Sequence, residues 1–264
     1  LLVVTLSAAA AALLRWLRED NVIFLGYREE RDGAGGRPEA IPETALGLLR
    51  PVADGGLGLE AELDIGTDTQ DRRVLRMLRS HHLSTVHRRE PMETVLVRRP
   101  DGGVARLVGI LTSRAMAEPA SRTQQLRDKL RRILASERMV EGSHDYKATI
   151  ALYDKFPKAE LLAAPVEDLR RIVRTLIGTA PNQVRLVGRV ARHGHAATLV
   201  ASMPRERLSV DLVQRLRAMV ADAFHTTYVE SQEAFDDDGR ALVHLYVRSA
   251  HPLPDVDIDP LEEE

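Results

Sequence analysis

Residues 183–203 read QVRLVGRVARHGHAATLVASM, and this stretch decides the fold of the C-terminal half. Two runs rich in valine, leucine and small apolar residues, Gln183 to Arg192 and Ala196 to Met203, flank the tripeptide His193-Gly194-His195. Such a pattern predicts a β-hairpin. Downstream, Leu208 to Phe224 carries Leu212, Leu216 and Val220 at helical spacing, and two more strand-like runs follow, Thr226 to Phe235 and Ala241 to Arg248, joined by Asp236-Asp237-Asp238-Gly239. Upstream, Pro165 opens a helix at its first turn, where a missing N–H costs nothing. Leu169, Ile172, Val173, Leu176 and Ile177 form the buried stripe of that helix, and Gly178 ends it. The order helix, hairpin, helix, hairpin predicts two helices on one face of a four-stranded antiparallel sheet.

Before this module the chain is helical. Arg122 to about Met139 places Leu126, Leu130, Ile133 and Leu134 on one face, Ser143 caps a helix from His144 to about Lys155, and Pro157 restarts the chain for a short turn through Leu162. Glu118-Pro119 separates these helices from an N-terminal region of different character. There, Ser7 caps a helix reaching about Glu19, Asn21 to Arg31 reads as a strand, Gly33 to Pro38 as a loop, Thr44 to Arg50 as a short helical turn, and Gly55 to Gly66 carries little signal. Asp71 to Ser80 reads as a short helix through Val74, Leu75 and Leu78. Strands follow at Ser84 to Arg88, Glu93 to Arg99 and Val104 to Ser113, the last two joined by Asp101-Gly102-Gly103.

Composition bounds the function. The 264 residues are 44% hydrophobic and 29% charged, as in soluble globular proteins, and the formal net charge of −2 offers no electrostatic footprint for a polyanion. Aromatic residues are scarce and Trp16 is the single tryptophan, so aliphatic side chains must fill the core. With no cysteine there are no disulfides, thiolate metal sites or cysteine nucleophile, which fits a reducing cytoplasm. The apolar opening Leu1 to Ala12 lacks the basic leader of a signal peptide, and no stretch approaches the roughly 18 apolar residues of a membrane span. A chain opening at Leu1 is expected to be a piece of something longer.

Several motifs suggest chemistry that their context does not sustain. Gly33-Ala34-Gly35-Gly36 follows a strand, but Arg37-Pro38-Glu39 and Pro42 leave no helix to cradle a phosphate, so a plain turn is expected and no nicotinamide site. His81-His82 and the pair His193 and His195 lack the further ligands and second shell that a metal site needs. Basic residues Arg122, Arg127, Lys129, Arg131 and Arg132 are interrupted by Asp128, with no aromatics to stack bases, so they read as a solvated helix face or a contact to an acidic partner domain. Ser143-His144-Asp145 names a triad, but three successive residues of one helical turn cannot form the required chain of hydrogen bonds.

Other stretches carry a family resemblance. Arg15-Trp16-Leu17 with Phe24-Leu25-Gly26-Tyr27-Arg28-Glu29, then Leu46 to Arg50, Val86-His87-Arg88, Leu107 to Ser113, Leu126-Arg127-Asp128-Lys129, Ser143 to Lys147, Phe156 to Leu161 and Met203 to Arg207 resemble, in order, motifs of the large bacterial NAD-specific glutamate dehydrogenases. Departures are local: Arg114-Ala115-Met116 and Lys158-Ala159 replace the usual residues. The resemblance covers about Ala10 to Arg248. It implies a non-catalytic piece of the N-terminal region, built from PAS-like and ACT-like domains, with the NAD-binding catalytic domain in the rest of the same chain.

The expectation is therefore an α+β chain: a PAS-like antiparallel sheet domain over 1–117, a helical connector over 118–164, an ACT-like (ferredoxin-like) antiparallel sheet domain over 165–250, and an acidic flexible tail over 251–264, solvated from Asp255 to Glu264. The resemblance implies a regulatory or assembly segment of a homo-oligomeric cytoplasmic dehydrogenase, with no catalytic, cofactor or metal residues of its own, NAD serving the parent enzyme. No nucleic acid or membrane partner is expected. If an amino-acid effector binds, the expected site is the connection leading into the helix at Leu208, where Arg205, Glu206 and Arg207 stand beside free N–H groups. The alternatives are that Ser209 simply caps that helix, and that the segment is a spacer without a ligand.

Overall fold

The computed structural model describes residues 8–33, 38–51, 74–191, 194–249, 251–256 and 258. The chain divides into two compact units, Leu1–Glu118 and Pro119–Glu264.

In the first unit, helix α1 (Ala8–Trp16) continues into a π-turn, Leu17–Asn21, closed at Asp20 with φ 58°. Leu13 and Leu17 are buried, and Trp16 donates from Nε1 to Glu118 at 3.1 Å. The expected cap Ser7 lies outside the described residues. Five strands follow: β1 (Val22–Asp32), β2 (Pro38–Gly47), β3 (Leu75–Leu83), β4 (Pro91–Arg98) and β5 (Val104–Leu111). They form one sheet of order β2-β1-β5-β4-β3, antiparallel throughout. The β4–β5 hairpin turns where Asp101-Gly102-Gly103 predicts it, with Gly102 at φ 92° and Gly103 donating to the Asp101 carboxylate. A short helix, α2 (Ser113–Ala117), is capped by Thr112.

Three local expectations give way here. The helix expected over Asp71–Ser80 is, in its described part, strand β3, with Leu75, Met77 and Arg79 opposite Val97, Val95 and Glu93. Leu75 and Leu78 sit at a helical spacing of three, yet the open edge of β4 offers a ladder of hydrogen bonds that outweighs so short a periodicity. Residues 71–73 of that stretch, and the whole of 55–66, lie outside the described residues. The helical turn expected over Thr44–Arg50 begins as strand β2. Gly47 then turns the chain at φ 59°, where a Cβ would lie 2.1 Å from the Leu25 carbonyl oxygen. The strand expected over Ser84–Arg88 is a loop, because the Ser84 hydroxyl donates to the Val86 carbonyl and accepts from the Val86 N–H, giving the backbone a local partner in place of a neighbouring strand.

The sheet carries a buried ionic cluster. Arg28 and Arg106 are direct partners across β1 and β5, and both bind Glu30: Arg106 through Nε at 2.6 Å and Nη2 at 3.1 Å, Arg28 through Nη2 at 2.7 Å. Burial pushes the Glu30 carboxyl up, but the guanidinium groups of Arg106 and Arg28 outweigh it and hold the pKa below the usual carboxylate value.

The second unit begins with a helical layer: α3 (Gln124–Ser136), α4 (His144–Asp154), α5 (Lys158–Ala163) and α6 (Val166–Ile177). Leu126, Leu130, Ile133 and Leu134 are the buried face of α3, as their spacing predicts. Lys129 reaches from α3 to the end of α5 and donates to the carbonyls of Leu161, Leu162 and Ala164 at 2.6, 2.9 and 2.8 Å. An ammonium there meets orphan carbonyls and the negative end of the helix dipole together.

Strands β6 (Arg185–Val190), β7 (Ala196–Pro204), β8 (Tyr228–Phe235) and β9 (Arg240–Arg248) form an antiparallel sheet of order β6-β7-β9-β8, with helix α7 (Val210–Ala223) between β7 and β8. Its odd-numbered apolar residues on β7 and β9, among them Leu199, Ala201, Val243 and Leu245, pack with Val220 and Phe224 at the C-terminal end of α7. The even-numbered residues turn to the helical layer: Thr198 contacts Glu160 of α5, His244 contacts Phe156, and Arg240 donates to the carbonyls of Leu176 and Thr179 at the end of α6. The expectation of two helices on one face is therefore corrected. Helices α6 and α7 lie on opposite faces, because β7 and β9 are buried on both sides and each face needs its own cover. In the described part of the tail expected to be solvated, Val256 and Ile258 pack against the α7-side core, as does Leu253 just before it.

Candidate functional site

The connection between β7 and α7 follows the pleat of β7 to its end at Pro204. Arg205–Arg207 forms a single 3-10 turn, with all three side chains exposed. Ser209 then caps α7, its hydroxyl accepting from the Leu212 N–H at 3.1 Å. Arg205 lies over the ring of Phe235 at 4.7 Å, a cation–π contact. The expected effector residues are thus together at one corner, beside a helix end whose first need is met by its own serine.

The sequence did not single out a second polar constellation, buried between the helical layer and the sheet. Glu160 on α5 receives a bidentate pair from Arg189 of β6, Nε at 2.6 Å and Nη2 at 3.0 Å, and a hydrogen bond from the Thr198 hydroxyl of β7 at 2.9 Å. All three residues are buried. Fork-to-fork geometry of this kind gives strong, directional hydrogen bonds. Beside it, His244 of β9 is 3% exposed and meets Phe156 edge to face, ring centroids 4.9 Å apart. Burial pushes the His244 pKa down to about 4, with the charge of Glu160 opposing the shift, so the ring is neutral near pH 7. Within the same layer, Lys158 is buried and donates to Thr123 at 3.3 Å, and Arg171 donates to the Gly188 carbonyl. The signal that could have found this seam is the polar residues at even positions of two otherwise apolar strands, Thr198 and Ser202 on β7 and His244 on β9.

The other sequence candidates disperse. Ser143 caps α4 by accepting from the Tyr146 N–H, while His144 and Asp145 are exposed on the turn that follows. His195 lies 3.3 Å from the Ser249 carbonyl, and His193 is outside the described residues. Of the basic run on α3, Lys129 is the helix staple described above and Arg131 pairs with Asp128. Residues 34–36 of the glycine cluster are also outside the described residues. Among the described residues no cluster of three His, Cys, Asp or Glu side chains could hold a metal ion, and no helix is long and apolar enough to cross a membrane.

Comparison with known proteins adds the context. Residues 125–180 match the family model described as glutamate dehydrogenase, helical motif 1, and residues 185–264 match that of the glutamate dehydrogenase ACT2 domain. The chain is 22% identical over 268 residues to the NAD-specific glutamate dehydrogenase of Halomonas elongata, covering 96% of this chain and 17% of that protein. With the NAD-specific glutamate dehydrogenase of Mycobacterium tuberculosis it is 24% identical over 250 residues, 93% of this chain and 14% of the relative. It thus spans about a sixth of the length of these relatives. The first family match holds α3 to α6 and the second holds the whole four-stranded sheet with α7, so the Glu160–Arg189 pair joins one to the other. The chain thus carries, in tandem, the helical motif 1 and the ACT2 domain of glutamate dehydrogenases, and along nearly all of its length it fits a segment of a large NAD-specific glutamate dehydrogenase.

Proposed function

We propose that this segment is a non-catalytic regulatory and assembly module of a large cytoplasmic, homo-oligomeric enzyme. The parent enzyme oxidises L-glutamate to 2-oxoglutarate and ammonia, with NAD accepting the hydride at a catalytic domain elsewhere in the longer chain. One observation carries the reading. Three of the polar side chains of the ACT2 sheet that point inward are spent on holding the helical layer, Arg189 and Thr198 on Glu160 and Arg240 on the end of α6. They hold two layers in one register instead of lining a cleft for a substrate. The first unit is read as PAS-like, and its antiparallel order β2-β1-β5-β4-β3 supports that reading.

Within this reading an amino-acid effector docks at the corner of Arg205, Glu206 and Arg207, where exposed guanidinium groups offer a carboxylate two planar partners. The spacer reading also has an observation behind it: Ser209 already caps α7 and Arg205 already rests on Phe235. Calorimetric titration of the chain with single amino acids separates the two. Sensing predicts saturable heat with at least one amino acid, abolished or strongly weakened in Arg205→Ala and Arg207→Ala. Heat unchanged by both substitutions rules out this corner, and no heat with any amino acid leaves the spacer.

A further inference from the structure

Three polar atoms in the seam between α5 and the ACT2 sheet have no protein partner among the described residues: the Ser202 hydroxyl and both ring nitrogens of His244. Ser202 is fully buried and His244 nearly so. Their positions are linked by register. Val200 lies opposite His244 and Ser202 opposite Leu242, so Ser202 and His244 are diagonal neighbours on the same face of adjacent strands. Diagonal positions on an antiparallel pair stand about 7–8 Å apart at the backbone, within reach of a long side chain on one of them.

The surroundings leave no protein group to fill the need. Glu160, the carboxylate whose charge His244 feels, is already engaged at both oxygens, Oε1 by Arg189 and Oε2 by Arg189 and Thr198. Phe156 presents its ring to His244 and has no polar atom to offer. Arg240, two strand positions along the same face, is committed to Asp236 and to the carbonyls of Leu176 and Thr179. A neutral imidazole carries one donor and one acceptor, and a hydroxyl carries both functions. The hydroxyl and whichever ring nitrogen faces it are met by one neutral occupant that can both donate and accept. A metal ion would find too few ligands, since no group of three His, Cys, Asp or Glu side chains gathers among the described residues, and an anion would face a neutral ring and a hydroxyl with no charge to balance it.

We propose that one water molecule is held permanently in this seam, bridging the Ser202 hydroxyl and one ring nitrogen of His244, and sealed from bulk solvent by Phe156 and the helical layer. A water making two hydrogen bonds spans roughly 5–6 Å between its partners, the scale of a diagonal pair with one extended side chain. Buried waters of this kind satisfy otherwise orphaned polar groups and belong to the fold as much as side chains do. The water thereby ties two neighbouring strands of the ACT2 sheet together on the face that the helical motif covers.

The test pairs a structure with a substitution whose sign differs between a wet and a dry seam. A high-resolution crystal structure of the chain is expected to show a solvent peak within hydrogen-bond distance of Ser202 Oγ and a His244 ring nitrogen. Ser202→Ala is expected to lower the thermal midpoint by a few degrees, because the water loses an anchor. Absence of the peak overturns the proposal. So does a midpoint that is unchanged or raised, since in a dry seam the substitution removes a buried hydroxyl with an unmet hydrogen bond and relieves its desolvation.

Discussion

Replacing Glu160 by Gln tests the joint between the helical layer and the sheet. The carboxylate accepts three hydrogen bonds, two from Arg189 at 2.6 and 3.0 Å and one from Thr198 at 2.9 Å, in a site where its own side chain is 2% exposed. Glutamine keeps the shape but turns one acceptor into a donor aimed at a guanidinium, and it leaves the Arg189 charge buried without compensation. Breaking a buried pair from one side costs about 3–5 kcal/mol, far more than an exposed ion pair is worth. The double substitution Glu160→Leu with Arg189→Met removes both charges and is expected to recover most of that loss, since apolar replacements of buried pairs are often near neutral. The assay is urea unfolding followed by far-ultraviolet circular dichroism. Trp16 fluorescence is the wrong reporter, because the single tryptophan lies in the other unit. A loss below about 1 kcal/mol for Glu160→Gln, or a double variant weaker than the single one, would refute the reasoning.

Two further outcomes follow from the same unit. His244 has a folded pKa of about 4 against an ordinary histidine value of 6.5, so between these values the unfolded chain takes up a proton that the folded chain refuses; stability is full above pH 6.5, falls as pH drops toward 4, and loses up to about 3 kcal/mol. His244→Leu is expected to flatten that part of the pH–stability curve, and identical slopes for both proteins would show that another group is responsible. Lys129→Met keeps the aliphatic stem but strips three carbonyls at the end of α5 of their common donor, and is expected to cost about 2–3 kcal/mol in urea titration, whereas Arg131→Met, at an exposed pair, is expected to change stability by less than about 0.5 kcal/mol.

Much of the fold could be read in the sequence where one local signal matched one long-range partner. The hairpin at Asp101-Gly102-Gly103, the buried stripe of α3 and the two β7–β9 strands follow directly from turn residues and period. Strand β3 did not, because three leucine and valine positions over ten residues satisfy either period, and only the edge of β4 decides between them. The face chosen by α6 was hidden for a different reason. Amphipathicity says that a helix has a buried side and is silent on which side of a sheet receives it. The deciding residues, Glu160, Arg189 and Arg240, are charged and read as surface until the structure shows them buried against the helical layer. The corner at Arg205 to Arg207 was legible as a place, since a β-strand ending at Pro204 and a serine cap at Ser209 both announce themselves.

Strand β7 is buried on both sides, and this bears on what can be cut from the chain. The family boundary falls between residues 180 and 185, just before β6. A piece trimmed there would keep α7 on one side and bare the other, setting Thr198, Val200, Leu242 and Tyr246 against water and leaving Arg189 without its carboxylate. The unit of descent and the unit of folding therefore do not coincide. Helical motif 1 is in effect the missing half of the ACT2 core, and a piece cut to fold alone is expected to need the helices with the sheet.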